Sequence, residues 1–169
     1  MTDTIIPPPK IIGTKAAERS YTNRHAIRIV AITREGAVGL IHVKKGNYYK
    51  LPGGGVEKDE DHLEAAVREV LEETGAIVSI REGRCIATTE EFRHDLHQMS
   101  YVYVADVVDA SGRPELTEDE EVDGLTHEWV PLKRALEMMR GVQPTSELGR
   151  FIKERDTYLL GEVDKVLGS

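Results

Sequence analysis

The segment Tyr48 to Ala76, YYKLPGGGVEKDEDHLEAAVREVLEETGA, constrains this chain more than any other. A strand-like run ends at Leu51, Pro52 withholds a ladder hydrogen bond, and Gly53, Gly54 and Gly55 follow. A turn is expected there, with backbone bare enough for a ligand or metal to approach closely. A helix comes next. At about 100° per residue, Leu63, Ala66, Val67, Val70, Leu71 and Thr74 share one arc, the face expected to pack on a sheet. His62, Ala65, Glu69, Glu72 and Glu73 take the other side, where Glu69 neighbours both Glu72 and Glu73.

An amphipathic helix ordinarily exposes such an acidic face to water. Here Arg68 lies one turn before Glu72 and can orient it through a guanidinium fork, leaving the other carboxylates free. A fixed, partly neutralised carboxylate cluster suits hard divalent cations, Mg²⁺ or Mn²⁺, which also take oxygens from a substrate phosphate. Nothing in the pattern points to zinc.

Gly54, five residues, Glu60, seven residues, Arg68-Glu69-Val70, one residue, Glu72-Glu73, one residue and Gly75 make up a spacing that resembles the Nudix hydrolase signature at every fixed position. The soft departure is Ala76, where that family usually carries a larger aliphatic residue; Ile77 follows it. The resemblance extends more loosely from His25 to Met139. It implies an α/β fold, a Nudix-type α/β/α sandwich around a mixed β-sheet. It also implies hydrolysis of a phosphoanhydride by a metal-activated water, with Mg²⁺ or Mn²⁺ as cofactor. Carried over by position, Glu72 and Glu73 are metal ligands, Glu69 a ligand or water activator, the Gly53 carbonyl a further ligand, and Arg68 an orienter. Glu60 ties loop to helix, and Glu57 is an outer ligand or simply solvated. The family often brings another carboxylate from a loop before the last strand; Glu120 and Glu121 are the candidates, Glu121 preferred.

At 169 residues and 40% hydrophobic, the chain can bury one core. The expected organisation is an arm over 1–20, a Nudix domain over 21–140, and a C-terminal helical extension over 141–169 packed on it. A net charge of −8 argues against binding a nucleic-acid polymer, but not against a small nucleotide held through metals. Cys85 has no cysteine partner and reads as a small buried side chain. No run suits a signal peptide or a membrane span, so a cytoplasmic protein is expected. Pro7-Pro8-Pro9 favours an extended arm over Met1 to Lys10.

Elsewhere, Ala26–Thr33 and Ala37–Lys44 read as strands joined in a hairpin at Glu35-Gly36. Arg28 interrupts the first, and either contacts phosphate or faces outward. Lys44, Lys45 and Tyr48 lie near the glycines; Lys44 and Tyr48 are candidate substrate contacts, and Tyr48, Tyr49, Phe92 and Tyr101 are candidate stacking residues. Ala76–Ile80, Arg84–Thr88 and Gln98–Val108 are further strands, the last with Tyr101 and Tyr103 opposite Val102 and Val104. His94 and His97 fall in a polar loop without metal-motif spacing. The acidic stretch Glu115–Asp123 begins like a calcium loop, but Val130 stands where a bidentate Glu is needed; a loop is expected. Pro131–Met139 is helical, with Leu132, Ala135, Leu136 and Met139 inward, and a second helix runs from Ser146 to about Leu160, covering the domain or meeting a second subunit as a homodimer.

For substrate, the proline spacing associated with ADP-ribose enzymes and the coenzyme A motif are both missing, which leaves nucleoside triphosphates, oxidised ones included, as first choice. The alternative, suggested by the triple glycine and Tyr101-Val102-Tyr103-Val104, is a diphosphoinositol polyphosphate or dinucleoside polyphosphate. Against an inositol substrate, no basic cluster is evident along the chain. A nucleotide-binding sensor without catalysis is the reading from another class.

Overall fold

The computed structural model describes residues 5–168. In chain order the elements are β1 (Lys10–Gly13), β2 (Thr22–Ile32), β3 (Ala37–Val43), β4 (Tyr48–Lys50), β5 (Gly53–Gly55), α1 (His62–Thr74), β6 (Ile77–Ile80), β7 (Ala87–Arg93), β8 (Leu96–Asp109), α2 (Glu118–Asp123), β9 (Leu125–Pro131), α3 (Leu132–Gly141) and α4 (Glu147–Leu167).

Strand β2 organises the sheet. One edge runs parallel to β8 along its whole length, while the other is shared by β5, opposite Ala26, Ile27 and Arg28, and by β3 at Ile32. β8 continues antiparallel to β7 and β6, β1 adds parallel to β7, and β3 pairs antiparallel with β4 and β9. The sheet is therefore mixed, as expected.

Side chains alternate across it. Ile27, Ile29, Ala31, Tyr103 and Ala105 pack under α1, while Val30, Val38, Leu40, Val102 and Val104 pack against α3 and α4. Those two cores make the α/β/α order, and Tyr101 and Tyr103 lie opposite Val102 and Val104 as the alternation predicts. Arg28 shares the parity of Val30, so it faces the α4 side.

Several expectations are corrected. Gly53–Gly55 is not a bare turn: Pro52 offers its carbonyl to the Ile29 N–H at 2.9 Å, and the glycines pair with β2 as an edge strand. Helix α1 buries a different stripe, Ala65, Ala66, Val70, Glu73 and Thr74, and leaves Leu63, Val67 and Leu71 at 38%, 36% and 45% exposure. The two alanines let the helix sit close to the sheet, and this roll turns Glu69 and Glu73 toward β5. The strand expected at Arg84–Thr88 begins only at Ala87, because Glu82 and Gly83 hold positive φ angles of 59° and 61° and prolong the turn. The acidic stretch contains α2, nucleated by a capping box between Thr117 and Glu120.

At the C-terminus, Ser146 caps α4 by accepting from the Gly149 N–H at 3.0 Å, as expected, but the helix continues to Leu167. Its buried residues Leu159, Leu160 and Val163 meet Ala135, Leu136 and Met139 of α3, so α4 covers the sheet. Of the arm, Met1–Thr4 lie outside the described residues; Lys10–Gly13 form β1 on the sheet edge. Among the described residues, no helix is long and apolar enough to cross a membrane.

Candidate active site

A cavity of about 510 Å³ opens where β5 separates α1 from α4. Its first wall is Glu69, Glu72 and Glu73 of α1, joined by Glu57 and by Thr117 and Glu120 of the α2 cap. Arg68 organises this wall. Its Nε and Nη2 donate to the two Glu60 oxygens at 2.7 and 2.9 Å, its Nη1 to Glu69 at 3.0 Å and Glu72 at 3.3 Å, and its Nη2 to the Gly55 carbonyl at 3.3 Å. The fork thus reaches Glu72 as the helical spacing predicts, and Glu60 ties the loop to the helix. Glu57 adds a looser ion pair to Arg68 at 3.8 Å. Hydrogen bonding to Arg68 lowers the Glu60 carboxyl below its ordinary range and raises the guanidinium above its own.

The glycine strand is what lets the helix carboxylates in. A Cβ on Gly54 would stand 2.5 Å from Glu69 Oε1, and one on Gly55 would stand 2.9 Å from Arg24 Nη2. Any side chain at either position would displace a charged group from the cavity.

Glu73 is the most perturbed of the carboxylates. It is 4% exposed, its Oε2 has no hydrogen-bond partner, and Lys50 Nζ stands 3.7 Å away. Burial, only partly offset by Lys50, pushes it up to about 8. Burial and the Glu69 charge also raise Glu72. A buried, orphaned carboxylate oxygen beside two further carboxylates fits a hard divalent cation. Among the described residues no three acidic, His or Cys side chains are gathered closely enough to hold a metal ion by themselves. An open, partial ligand set is nonetheless what Mg²⁺ uses when waters and substrate phosphates complete its shell.

The second wall is basic: Arg24 and Arg28 from β2, Lys50 from β4, Arg93 from β7 and Arg155 from α4. The expectation that the chain lacks a basic cluster is therefore wrong; tertiary folding assembles one. Arg24, Lys50, Arg93 and Arg155 were not singled out by sequence. Signals existed: Arg24 has the parity of Arg28 on β2, Lys50 that of Tyr48 on β4, and Arg155 interrupts the buried stripe of Ile152 and Leu159. Arg28 does line the cavity, whereas Tyr48 is buried among Ile41, Val43 and Ile152 and Lys44 is exposed, neither on its walls. Tyr48 is drawn inward because its neighbours on β3 and α4 are apolar. Glu120, rather than the exposed Glu121, lines the cavity, since the capping box fixes which face of α2 turns inward. Gly53 lies on the wall with Gly54 and Gly55. His94 and His97 pair with Glu147 and with Asn23 and Glu90, away from the cavity.

The NUDIX domain family model matches residues 22–148, which span the glycine strand, α1 and the acidic wall. The chain belongs to the NUDIX family. It is 36% identical over 97 residues to human diphosphoinositol polyphosphate phosphohydrolase 3-alpha, covering 56% of this chain and 54% of that protein. It is also 36% identical over 93 residues to a CMP-5'-(N-acetyl-N-hydroxy-3-aminopropyl)phosphonate hydrolase of Streptomyces rubellomurinus, covering 54% of this chain and 42% of the other. The NUDIX chain thus spans about half the length of the curated relatives it matches. A crystal structure of a MutT protein from Methanosarcina mazei shares the fold, with a TM-score of 0.61 at 17% identity over 91% of this chain and all of that one.

Proposed function

We propose that this NUDIX chain hydrolyses a phosphoanhydride bond with Mg²⁺ or Mn²⁺, the ion held by Glu69, Glu72 and Glu73 with the Gly53 carbonyl as a further ligand. The observation that carries this reading is the α1 carboxylate wall packed directly against a strand of glycine and open to a solvent-filled cavity. When bound, the metal supplies charge neutralisation for the diphosphate and acidification of a coordinated water. Arg68 holds Glu69 and Glu72 in place before substrate arrives, which lowers the reorganisation needed in the transition state. Lys50, beside Glu73, supplies positive charge toward the departing phosphate. Glu120, on the same acidic wall as Glu72, is the carboxylate we assign to accept a proton.

The cavity walls favour a densely phosphorylated substrate over a plain nucleoside triphosphate. Apart from Leu148 and Ile152 its lining is charged, polar or glycine, whereas the aromatic candidates for stacking a base, Tyr48, Tyr49, Phe92 and Tyr101, lie off its walls. The similarity to a diphosphoinositol polyphosphate phosphohydrolase supports the same preference. The test is phosphate release from nucleoside triphosphates, dinucleoside polyphosphates and diphosphoinositol polyphosphates with Mg²⁺ or Mn²⁺. Glu72→Gln is expected to lose at least about a hundredfold, as removal of several kcal/mol of metal-based stabilisation requires. Equal rates in wild type and variant would remove the site assignment. Tight nucleotide binding with no turnover on any anhydride would favour a sensor.

A further inference from the structure

Two guanidinium groups on the basic wall are buried yet incompletely partnered. Arg28 is 5% exposed, its side chain makes no hydrogen bond or ion pair among the described residues, and its Nε is sealed from solvent. Arg155 is 3% exposed and rigidly held: its Nε donates to Asp156 at 2.7 Å and its Nη1 to Glu91 at 3.3 Å, while its Nη2 has no acceptor. Asp156 in turn accepts the Leu51 N–H at 2.9 Å, and Glu91 takes Arg93 Nε at 3.2 Å, so both acids are engaged before they can serve Arg28. Arg24, also on the wall, is steered by Gln98 at 2.7 Å.

Burying a charge without a partner costs several kcal/mol unless something later satisfies it. On the α4 side of the cavity four guanidiniums, Arg24, Arg28, Arg93 and Arg155, meet two carboxylates, Glu91 and Asp156, while Glu69 and Glu73 of the α1 wall act on Arg24 and Arg28 by charge without a hydrogen bond to either. An anion is the ligand this arrangement lacks. Forked, fixed donors recognise phosphate oxygens better than flexible ammonium groups do.

We infer that Arg28 and Arg155, flanked by Arg24 and Arg93, form an anion subsite on the α4 side of β5 that takes a phosphate monoester of the substrate, distinct from the diphosphate held at the α1 carboxylates. The inference rests on the phosphoanhydride-hydrolase reading of the same cavity. It goes beyond the family match, which ends at residue 148, whereas Arg155 belongs to the part of α4 that follows. The substrate class that fits is a small molecule with a diphosphate at one end and at least one phosphate monoester elsewhere. Helix α4, on this view, sets substrate choice as well as covering the sheet.

The experiment uses the full chain in EDTA at fixed ionic strength, titrated calorimetrically with myo-inositol hexakisphosphate, a polyphosphate without an anhydride bond. Inorganic phosphate serves as the single-anion comparison. Wild type is expected to bind the hexakisphosphate without metal and more tightly than inorganic phosphate, and Arg28→Gln to weaken that binding at least about tenfold. Arg28→Gln should keep or raise the melting temperature, because an unpaired charge is removed; a purely structural Arg28 would lower it. Glu72→Gln should bind at least as tightly as wild type, since it removes a repelling charge. If Arg28→Gln does not fold, Arg155→Lys, which keeps charge but loses the fork, must show the same weakening. Undiminished affinity in the folded variant, or no metal-free binding by wild type, would overturn the subsite. Arginine-dependent binding without turnover of any anhydride in Mg²⁺ would support the subsite and defeat the hydrolase reading.

Discussion

Glu73→Gln isolates the most unusual group in the site. In the folded protein burial pushes this carboxyl up to about 8, against 4.5 in an unperturbed chain. Between those values the folded state keeps a proton that the unfolded state has released, so the folded state binds more protons and stability falls as pH rises. The contribution is fully retained below about 4.5 and fully lost above about 8. A displacement of that size corresponds to at most about 5 kcal/mol, at about 1.36 kcal/mol per pH unit. Glutamine mimics the protonated acid at every pH. Urea denaturation in EDTA at pH 5 and pH 8.5 should therefore show wild type losing several kcal/mol relative to Glu73→Gln, while the two nearly coincide at pH 5. Added Mg²⁺ at pH 8.5 should recover stability in wild type and much less in the variant, by mass action on a folded-state site. Parallel pH dependence in the two proteins would refute the burial argument, and equal stabilisation by Mg²⁺ would remove Glu73 from the ligand set.

Three other outcomes follow from the geometry. Gly54→Ala places a methyl 2.5 Å from Glu69 Oε1, so turnover should fall at least about tenfold while circular dichroism stays native. Glu120→Gln, which can keep the capping box, should slow hydrolysis at least about tenfold, and Glu121→Gln should stay within about twofold, both read as kcat with saturating metal. Asp156→Ala leaves Arg155 and the Leu51 N–H short of a partner and should destabilise by about 3–5 kcal/mol in urea, the range for breaking a buried ion pair.

Much of the site was legible because it is local. The register from Gly54 to Gly75 needs no knowledge of distant contacts, and neither do the Arg68 fork to Glu72, the Ser146 cap or the inward face of α3. The roll of α1 was not legible. Leu63, Val67 and Leu71 carry the stronger apolar signal, but the sheet takes the face with the two alanines and with Glu73. Periodicity reports where the apolar residues lie on a helix; it does not report which face a neighbouring strand of glycine will admit.

Sequence by itself determined the family and the carboxylate helix, since both are written in spacings shorter than one supersecondary unit, and the mixed sheet was expected through the family resemblance. Only the tertiary structure decided that Arg24, Arg28, Lys50, Arg93 and Arg155 share one wall. Three strands and a C-terminal helix bring them together, and the residues that hold Arg155 in place, Glu91 and Asp156, come from different elements. Charge clusters built from such separate segments have no signature along the chain, because sheet pairing and helix docking, not sequence neighbours, set the distances over which charges act.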